Sequence, residues 1–279
     1  MAVVDISNTF QMSKPGAHID NTDVYNSNRN LLDNPFFTIN QRGAAVGTNI
    51  NANRFVADRW QAIGTIGATR NSDGSLTIND TLFHKLPTDL ELAGKTVTLS
   101  VLYADGTTEA NTFQWSGTST QYFTYGRAVV YASAYQINFN SFTKNVKAFK
   151  LERGAYSTLA NDDAPIYGQE LEKCKWYFKR IKSELSYDPV GYGIQNSSTR
   201  AYIKIPGQMR VAPSASFVGI LRLVGNASAS VDVTSLGTGG TDAEGIVVLA
   251  NTAGSLTANH AYTMYLGNTS SYIDLSADL

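Results

Sequence analysis

Apolar and polar residues alternate with a period of two through much of the first 160 positions. Val97, Leu99, Val101 and Tyr103 are interleaved with Thr96, Thr98, Ser100 and Leu102, a spacing that sends each set to one face of a strand. Ala104-Asp105-Gly106-Thr107 follows as a hairpin turn, because glycine accepts the positive φ that an Asp-Gly turn needs. Phe113 and Trp115 then stand opposite Thr112, Gln114 and Ser116. Leu76 and Ile78, Leu82, Val129 to Tyr131, Ile137 to Phe139 and Val146 to Leu151 supply further short strands. Strands of this length, separated by turn signals, predict a mostly β fold with a jelly-roll β-sandwich over 30–160.

The period then changes. Leu171, Cys174, Phe178, Ile181 and Leu185 fall three and four apart, which predicts a linking helix over 161–185 with one buried stripe. Pro165 stands near its start, with Asp162 and Asp163 as capping candidates. On that stripe Cys174 reads as a small buried hydrophobe. From 186 to 279 the pattern returns to strands, among them Ala201 to Ile205, Phe217 to Val224, Ser230 to Val233, Gly245 to Leu249, Tyr262 to Leu266 and Tyr272 to Leu275. Gly237-Thr238-Gly239-Gly240 is expected as a loop between two of them. This segment predicts a second, smaller β-sandwich-like domain for oligomerisation or for a tip. Residues 1–29 are polar and irregular, either an attachment arm ordered by neighbours or a loose end.

Composition sharpens this picture. Of the 279 residues only 16% are charged, while 23 are glycine and 15 tyrosine, a balance that suits short strands and tight turns. Few charges also lower the desolvation cost when subunits meet. The net charge of -1 gives no basic field for counterion release, so nucleic-acid binding is not expected. The basic run from Lys173 to Lys182 is interleaved with the apolar stripe and reads as a solvated helix face. Cys174 is the sole cysteine, so no intrachain disulfide can form. No secretory signal and no long apolar span are present, so a soluble chain made in a cytoplasm, without membrane insertion, is expected.

No catalytic constellation emerges. His18, His84 and His260 are far apart and fit no metal-ligand spacing. A glycosidase needs two carboxylates across a cleft; Asp58, Asp73, Asp80, Asp89, Glu91, Asp105 and Glu109 are available, with nothing to prefer a pair. Asp58 beside Arg59 and Trp60 reads as a fixed ion pair or turn at the core's edge. No enzyme and no cofactor are expected; a structural calcium ion in the sandwich loops is left open. The aromatics are more suggestive. Trp115, Tyr122, Phe123, Tyr125, Tyr131 and Tyr135 crowd together, with Asn111, Gln114 and Gln121 nearby. A flat ring packs against the C–H face of a sugar while amides bond its hydroxyls. Trp115, Tyr122, Tyr125, Tyr131, Asn111, Gln114 and Gln121 are therefore the candidate ligand contacts. Core or subunit interface is the other reading of the same rings.

Two landmarks carry a resemblance. The first is Asn30-Leu31-Leu32-Asp33-Asn34-Pro35-Phe36 through Asn40-Gln41-Arg42-Gly43, with Ala57-Asp58-Arg59-Trp60. The second is Lys150-Leu151-Glu152-Arg153-Gly154 followed by Glu170-Leu171-Glu172-Lys173-Cys174-Lys175-Trp176-Tyr177-Phe178. Together they resemble the carbohydrate-binding-type module of bacteriophage tail-fibre and receptor-binding proteins, over roughly residues 30 to 185. The resemblance implies a jelly-roll module, a homotrimer, a place on the virion, contact with other virion proteins through the N-terminal segment, and recognition of host surface polysaccharide. It marks Asp58, Arg59, Trp60, Glu152 and Cys174 as scaffold and assigns no sugar contact. A purely structural virion component and a polysaccharide-degrading hydrolase are the alternative readings.

Overall fold

The computed structural model describes residues 28–87, 90–126, 128–133, 135–225, 230–242 and 245–278. The expected arm 1–29 lies outside these, apart from Asn28 and Arg29. The chain divides into two compact units, Met1–Glu170 and Leu171–Leu279. Both are β-rich, and among the described residues no helix is long and apolar enough to cross a membrane.

The first unit is a jelly-roll β-sandwich of two six-stranded antiparallel sheets. One sheet runs β1 (Asn49–Ile50), β4 (Ala68–Arg70), β5 (Leu76–Ile78), β12 (Val146–Arg153), β7 (Thr96–Tyr103), β8 (Thr108–Gln114). The other runs β2 (Arg54–Ala57), β3 (Trp60–Ile63), β6 (Thr81–Lys85), β11 (Gln136–Asn140), β10 (Ala128–Ser133), β9 (Gln121–Tyr125). The alternation expected for 96–103 is realised in β7, whose Val97, Leu99, Val101 and Tyr103 all enter the core. At the turn that follows, Gly106 takes φ 83°, and Asp105 Oδ1 accepts the Thr107 amide at 2.9 Å. Between the sheets, Phe149 stacks on Phe139 at 3.9 Å and on Trp60 at 5.3 Å, and Phe37 meets Trp60 edge-on at 5.2 Å.

The first landmark owes its pattern to Asn34. This residue is fully buried at φ 52°, a left-handed conformation asparagine tolerates. Its Nδ2 donates to the Ile39 and Asp58 carbonyls, both at 2.8 Å, and its Oδ1 accepts the Ile39 amide at 3.0 Å. Its own carbonyl accepts Trp60 Nε1–H at 2.8 Å, and its amide donates to Glu170 Oε1. Asp58 takes the Gln41 amide and side chain at 3.0 and 2.6 Å, and Arg59 donates to the Lys85 carbonyl at 2.6 Å. Through side chain and backbone together, this one residue joins the entering loop to the turn after β2, to β3 and to the end of the unit.

The second landmark seals the outer face of the first sheet. Phe149 and Leu151 point into the core, so Ala148, Lys150 and Glu152 take the opposite face. They are nonetheless fully buried, because the chain after β12 folds back over them. Lys150 Nζ donates to Thr158 Oγ1 and Asp162 Oδ1, each at 2.7 Å. Glu152 accepts the Thr158 amide at 2.8 Å and its hydroxyl at 2.6 Å. Thr98 and Thr112 donate to the Gly154 and Ala155 carbonyls, and Phe36 packs with Ala148 and Leu159. Asp162, expected as a helix cap, is held by Lys150.

The linking helix is shorter than the spacing suggests. The helix α1 spans Tyr167–Lys175, and Phe178–Lys182 is a strand, β13. The expectation that one helix carries Phe178, Ile181 and Leu185 is corrected here. Trp176 and Tyr177 close the helix with bonds to the Lys173 and Cys174 carbonyls, and β13 then pairs with β21 (Tyr272–Ser276) through five residue pairs. The ladder satisfies backbone groups that a continued helix would have satisfied internally, so tertiary pairing overrides local spacing. Cys174 is fully buried.

In the second unit a three-stranded sheet runs β13, β21, β16 (Ser214–Val218). Beside it β14 (Asp188–Ser197), β15 (Arg200–Pro206), β19 (Gly245–Thr252), β18 (Ser230–Asp242), β17 (Leu221–Gly225) and β20 (Ala261–Leu266) form a closed barrel. Ile203, Leu223, Val248 and Met264 from the barrel share one core with Ile273 and Leu275 from the sheet. The glycines at 237–240 lie within β18, whose ladder shifts register between Thr238 and Gly240, and do not form the expected loop. Closure removes the barrel's edges, and β13 and β16 are the edge strands of the three-stranded sheet.

Candidate functional site

On the second sheet of the first unit, Leu82 and His84, Val130 and Ala132, and Ile137 and Phe139 point inward. The residues between them, Phe83, Tyr131 and Asn138, therefore occupy the outer face. Strand register aligns these across the whole sheet. Phe55 pairs with Gln61, Gln61 with Phe83, Phe83 with Asn138, Asn138 with Tyr131 and Tyr131 with Tyr122. Six strands thus contribute one residue each to a transverse row: Phe55, Gln61, Phe83, Asn138, Tyr131, Tyr122. Two amides are interspersed among four rings, and no member is charged.

The row is graded in exposure. Tyr122 is 70% exposed, and Phe55, Gln61, Phe83 and Tyr131 are half-buried. The Tyr122 and Tyr131 rings lie 5.9 Å apart, tilted by 42°. At the other end the Arg42 guanidinium covers the Phe55 ring at 3.8 Å. Asn138 is 2% exposed, and its Nδ2 has no hydrogen-bond partner among the described residues. Flanking the row are Thr81 and Asn140, whose side chains bond at 2.8 Å, and Gln136, Ser133 and Lys85.

Of the seven contacts expected from sequence, the structure brings Tyr122 and Tyr131 together on this face. Trp115 and Tyr125 are corrected: they are 2% and 1% exposed and belong to the core. Tyr125 donates its hydroxyl to the Leu99 carbonyl at 2.7 Å, and burial pushes its phenol pKa up. Trp115 stacks on Phe113 at 5.9 Å and borders a cavity of about 110 Å³ with Leu86, Leu92 and Tyr135. That volume is well below the roughly 300 Å³ at which ligand pockets begin. Asn111, Gln114 and Gln121 brace the β8–β9 margin. Asn111 donates to the Thr124 carbonyl at 3.1 Å, Gln114 to Gly94 at 3.1 Å, and Gln121 to Gln114 at 2.8 Å. Phe55, Gln61, Phe83 and Asn138 were missed. The alternation of Phe83 between Leu82 and His84 hinted at an outward ring, but the row itself follows from strand register.

Four of the seven carboxylates weighed for hydrolysis are engaged elsewhere. Asp58 is buried among Gln41 and Arg42, and Asp80 accepts the Thr65 amide at 3.1 Å. Asp105 pairs with Lys144 at 2.8 Å, and Asp73 bonds Ser75 within its turn. These bonds hold both below the usual carboxylate range, first through the Lys144 and the Ser75 side chain respectively. Asp89 lies outside the described residues. Among the described residues no group of three or more metal-ligating side chains gathers. In the second unit a groove of about 460 Å³ runs past Lys179, Leu185, Asp188 and Pro206. Its Lys179 donates to the Pro206 carbonyl at 2.7 Å, and its Asp188 caps the turn amides of Glu184 and Leu185. Compared with models of known protein families, with curated proteins and with solved structures, the chain matches none.

Proposed function

We propose that this chain is a non-enzymatic receptor-binding protein of a bacteriophage fibre, recognising host cell-surface glycans through the outer face of the second sheet. The observation that carries the reading is the transverse row, in which two side-chain amides are interspersed among exposed or half-exposed rings. Rings supply flat apolar surface to the C–H faces of a sugar, and amides supply both donors and acceptors to its hydroxyls. The engagement of the candidate carboxylates in turns and ion pairs favours binding over hydrolysis. A homotrimer on the virion is part of the same proposal.

Support for assembly comes from the barrel's outer surface. Ile194 and Tyr202 face each other across β14 and β15, with Tyr192 beside them, at 63%, 42% and 64% exposure. Apolar surface of that kind suits subunit contact, and it equally favours the second reading, a purely structural virion component. A glycan array probed with the full-length protein, beside the Tyr122→Ala variant, separates the two. Receptor binding predicts capture on host-derived polysaccharide that the variant loses. Capture by neither protein, with a stable oligomer in light scattering, leaves the structural reading.

A further inference from the structure

We propose that the row binds the interior of an uncharged linear polysaccharide laid across the strands, and that Asn138 at its centre is the residue that selects it. This rests on the glycan-recognition reading above and adds the ligand's class, its length and its selecting contact. Length follows from the sheet. The row crosses from β2 to β9 through five strand-to-strand steps. Steps of about 4.8 Å carry it roughly 24 Å, the span of about four to five pyranose units. A terminal monosaccharide would leave most of that surface unused. Charge follows from the members themselves: Phe55, Gln61, Phe83, Asn138, Tyr131 and Tyr122 contribute neither cation nor anion. An anionic glycan would lose its hydration without gaining a countercharge from the six members; the cations beside them are Arg42, already paired with Asp58 and stacked on Phe55, and Lys85 at the flank.

Asn138 supplies the selection. A buried amide nitrogen without a partner is uncommon, because an orphaned donor destabilises the fold. Here the orphan sits between Phe83 and Tyr131, midway along a face of rings. The neighbouring amides are committed or flanking: Gln61 donates to the Asn53 carbonyl at 2.6 Å, and Asn140 accepts from Thr81. Asn138 therefore keeps a donor that the fold itself leaves unsatisfied. A sugar hydroxyl or ring oxygen arriving after a small movement of the neighbouring Tyr131 side chain would satisfy it. A leucine of similar volume cannot, yet it removes the orphan, so binding and stability should part company at this position.

The test is isothermal titration of the full-length protein with neutral gluco-, manno- and galacto-oligosaccharides of one to six units, with alginate oligomers as the anionic control. Affinity is expected to tighten up to four or five units and then level off. Asn138→Leu is expected to weaken the best ligand at least tenfold while leaving the melting temperature unchanged or raised. Asn138→Asp, which keeps the shape and removes the donor, guards against a packing artefact and is expected to lose binding likewise. A disaccharide binding as tightly as a hexasaccharide, preference for alginate, or full binding by Asn138→Leu overturns the inference. If Tyr122→Ala still abolishes binding in those cases, glycan recognition by this face stands. If neither Tyr122→Ala nor Tyr131→Ala changes binding, or no glycan binds, the reading beneath the inference falls with it.

Discussion

Truncating Asn34 to alanine probes the structural centre of the first unit. The amide donates to the Ile39 and Asp58 carbonyls and accepts from the Ile39 amide, all inside the protein. The Ile39 carbonyl keeps a second donor, the Asp58 amide at 3.0 Å, and suffers little. The Ile39 N–H and the Asp58 carbonyl lose a buried partner, at about 1–3 kcal/mol each. Alanine also pays for the left-handed backbone, since φ is 52° at this position; that adds about 1 kcal/mol. The total is about 3–7 kcal/mol, a large share of the roughly 5–15 kcal/mol that holds a domain together.

The assay is urea unfolding followed by tryptophan fluorescence in a Trp176→Phe background. Trp60 and Trp115 are buried in the first unit, and Trp176 belongs to the second, so the background isolates one transition. With a slope of about 2 kcal/mol per molar urea, Asn34→Ala should lower the midpoint by about 1.5–3.5 M. Asn34→Gly loses the same hydrogen bonds without the left-handed penalty and should recover about 1 kcal/mol of the loss. A midpoint for Asn34→Ala within about 0.5 M of the parent, at that slope, would refute the assignment of this side chain as the hub. So would a glycine variant no more stable than the alanine one.

Acidification should weaken the first unit through His84. Burial, and then the Arg59 guanidinium, hold its imidazole well below the usual histidine range. The unfolded chain gains a proton near pH 6.5 that the fold refuses, so stability is full above that pH and falls below it, by up to about 1.4 kcal/mol per unit. Thermal melts from pH 7 to 5 should show this slope in the parent and a flatter one in His84→Gln; equal slopes would contradict it. Lys150→Met should cost about 3–5 kcal/mol in urea unfolding by leaving the buried Glu152 and the partly buried Asp162 carboxylates without their cation. The double change Lys150→Met/Asp162→Asn should regain part of that, and a neutral Lys150→Met would sink the ion-network account. In the barrel, a Cβ on Gly193 would lie 1.7 Å from the Tyr202 carbonyl oxygen. Gly193→Ala should therefore destabilise the second unit's transition by at least about 2 kcal/mol, and an unchanged transition would show that β14 and β15 part without cost.

Much of the architecture was legible because period-two alternation is local. Val97 to Tyr103 and Val146 to Leu151 declare strands without reference to any neighbour, and Asp105-Gly106 declares its own turn. What failed was long-range. Phe178 and Ile181 satisfy a helical spacing and a strand equally, and the choice is made by β21, almost a hundred residues away. Gly237 to Gly240 look like a loop until β19 is paired against them. The site divides in the same way. Aromatic density drew attention to 113–135, but inward and outward rings alternate there, so Tyr122 and Tyr125 are separated by a one-residue difference in face. Phe55, Phe83 and Asn138 become neighbours of Tyr131 through pairings across the chain that composition does not encode.

The two sheets of the jelly roll also divide their labour, and this explains why the recognisable motifs are not the candidate contacts. A sandwich has two outer faces. On the first sheet that face carries Ala148, Lys150 and Glu152, and it is sealed by the chain at 154–162, fastened through Thr158 and Asp162. A lysine and a glutamate there are fully buried, which requires partners at fixed positions; the residues that fasten the seal are constrained by the fold. The outer face of the second sheet has no such ion network across its row. Gln61 and Phe55 at one end are held by Asn53 and Arg42, but Tyr122 is exposed and the Asn138 Nδ2 has no partner among the described residues. A surface free of structural obligation is where ligand specificity can change without loss of the fold. Exchanging Phe83, Tyr131 and Tyr122 for other side chains should therefore alter glycan preference while leaving urea unfolding within about 1 kcal/mol of the parent. The same number of substitutions among Lys150, Glu152 and Thr158 should unfold the unit.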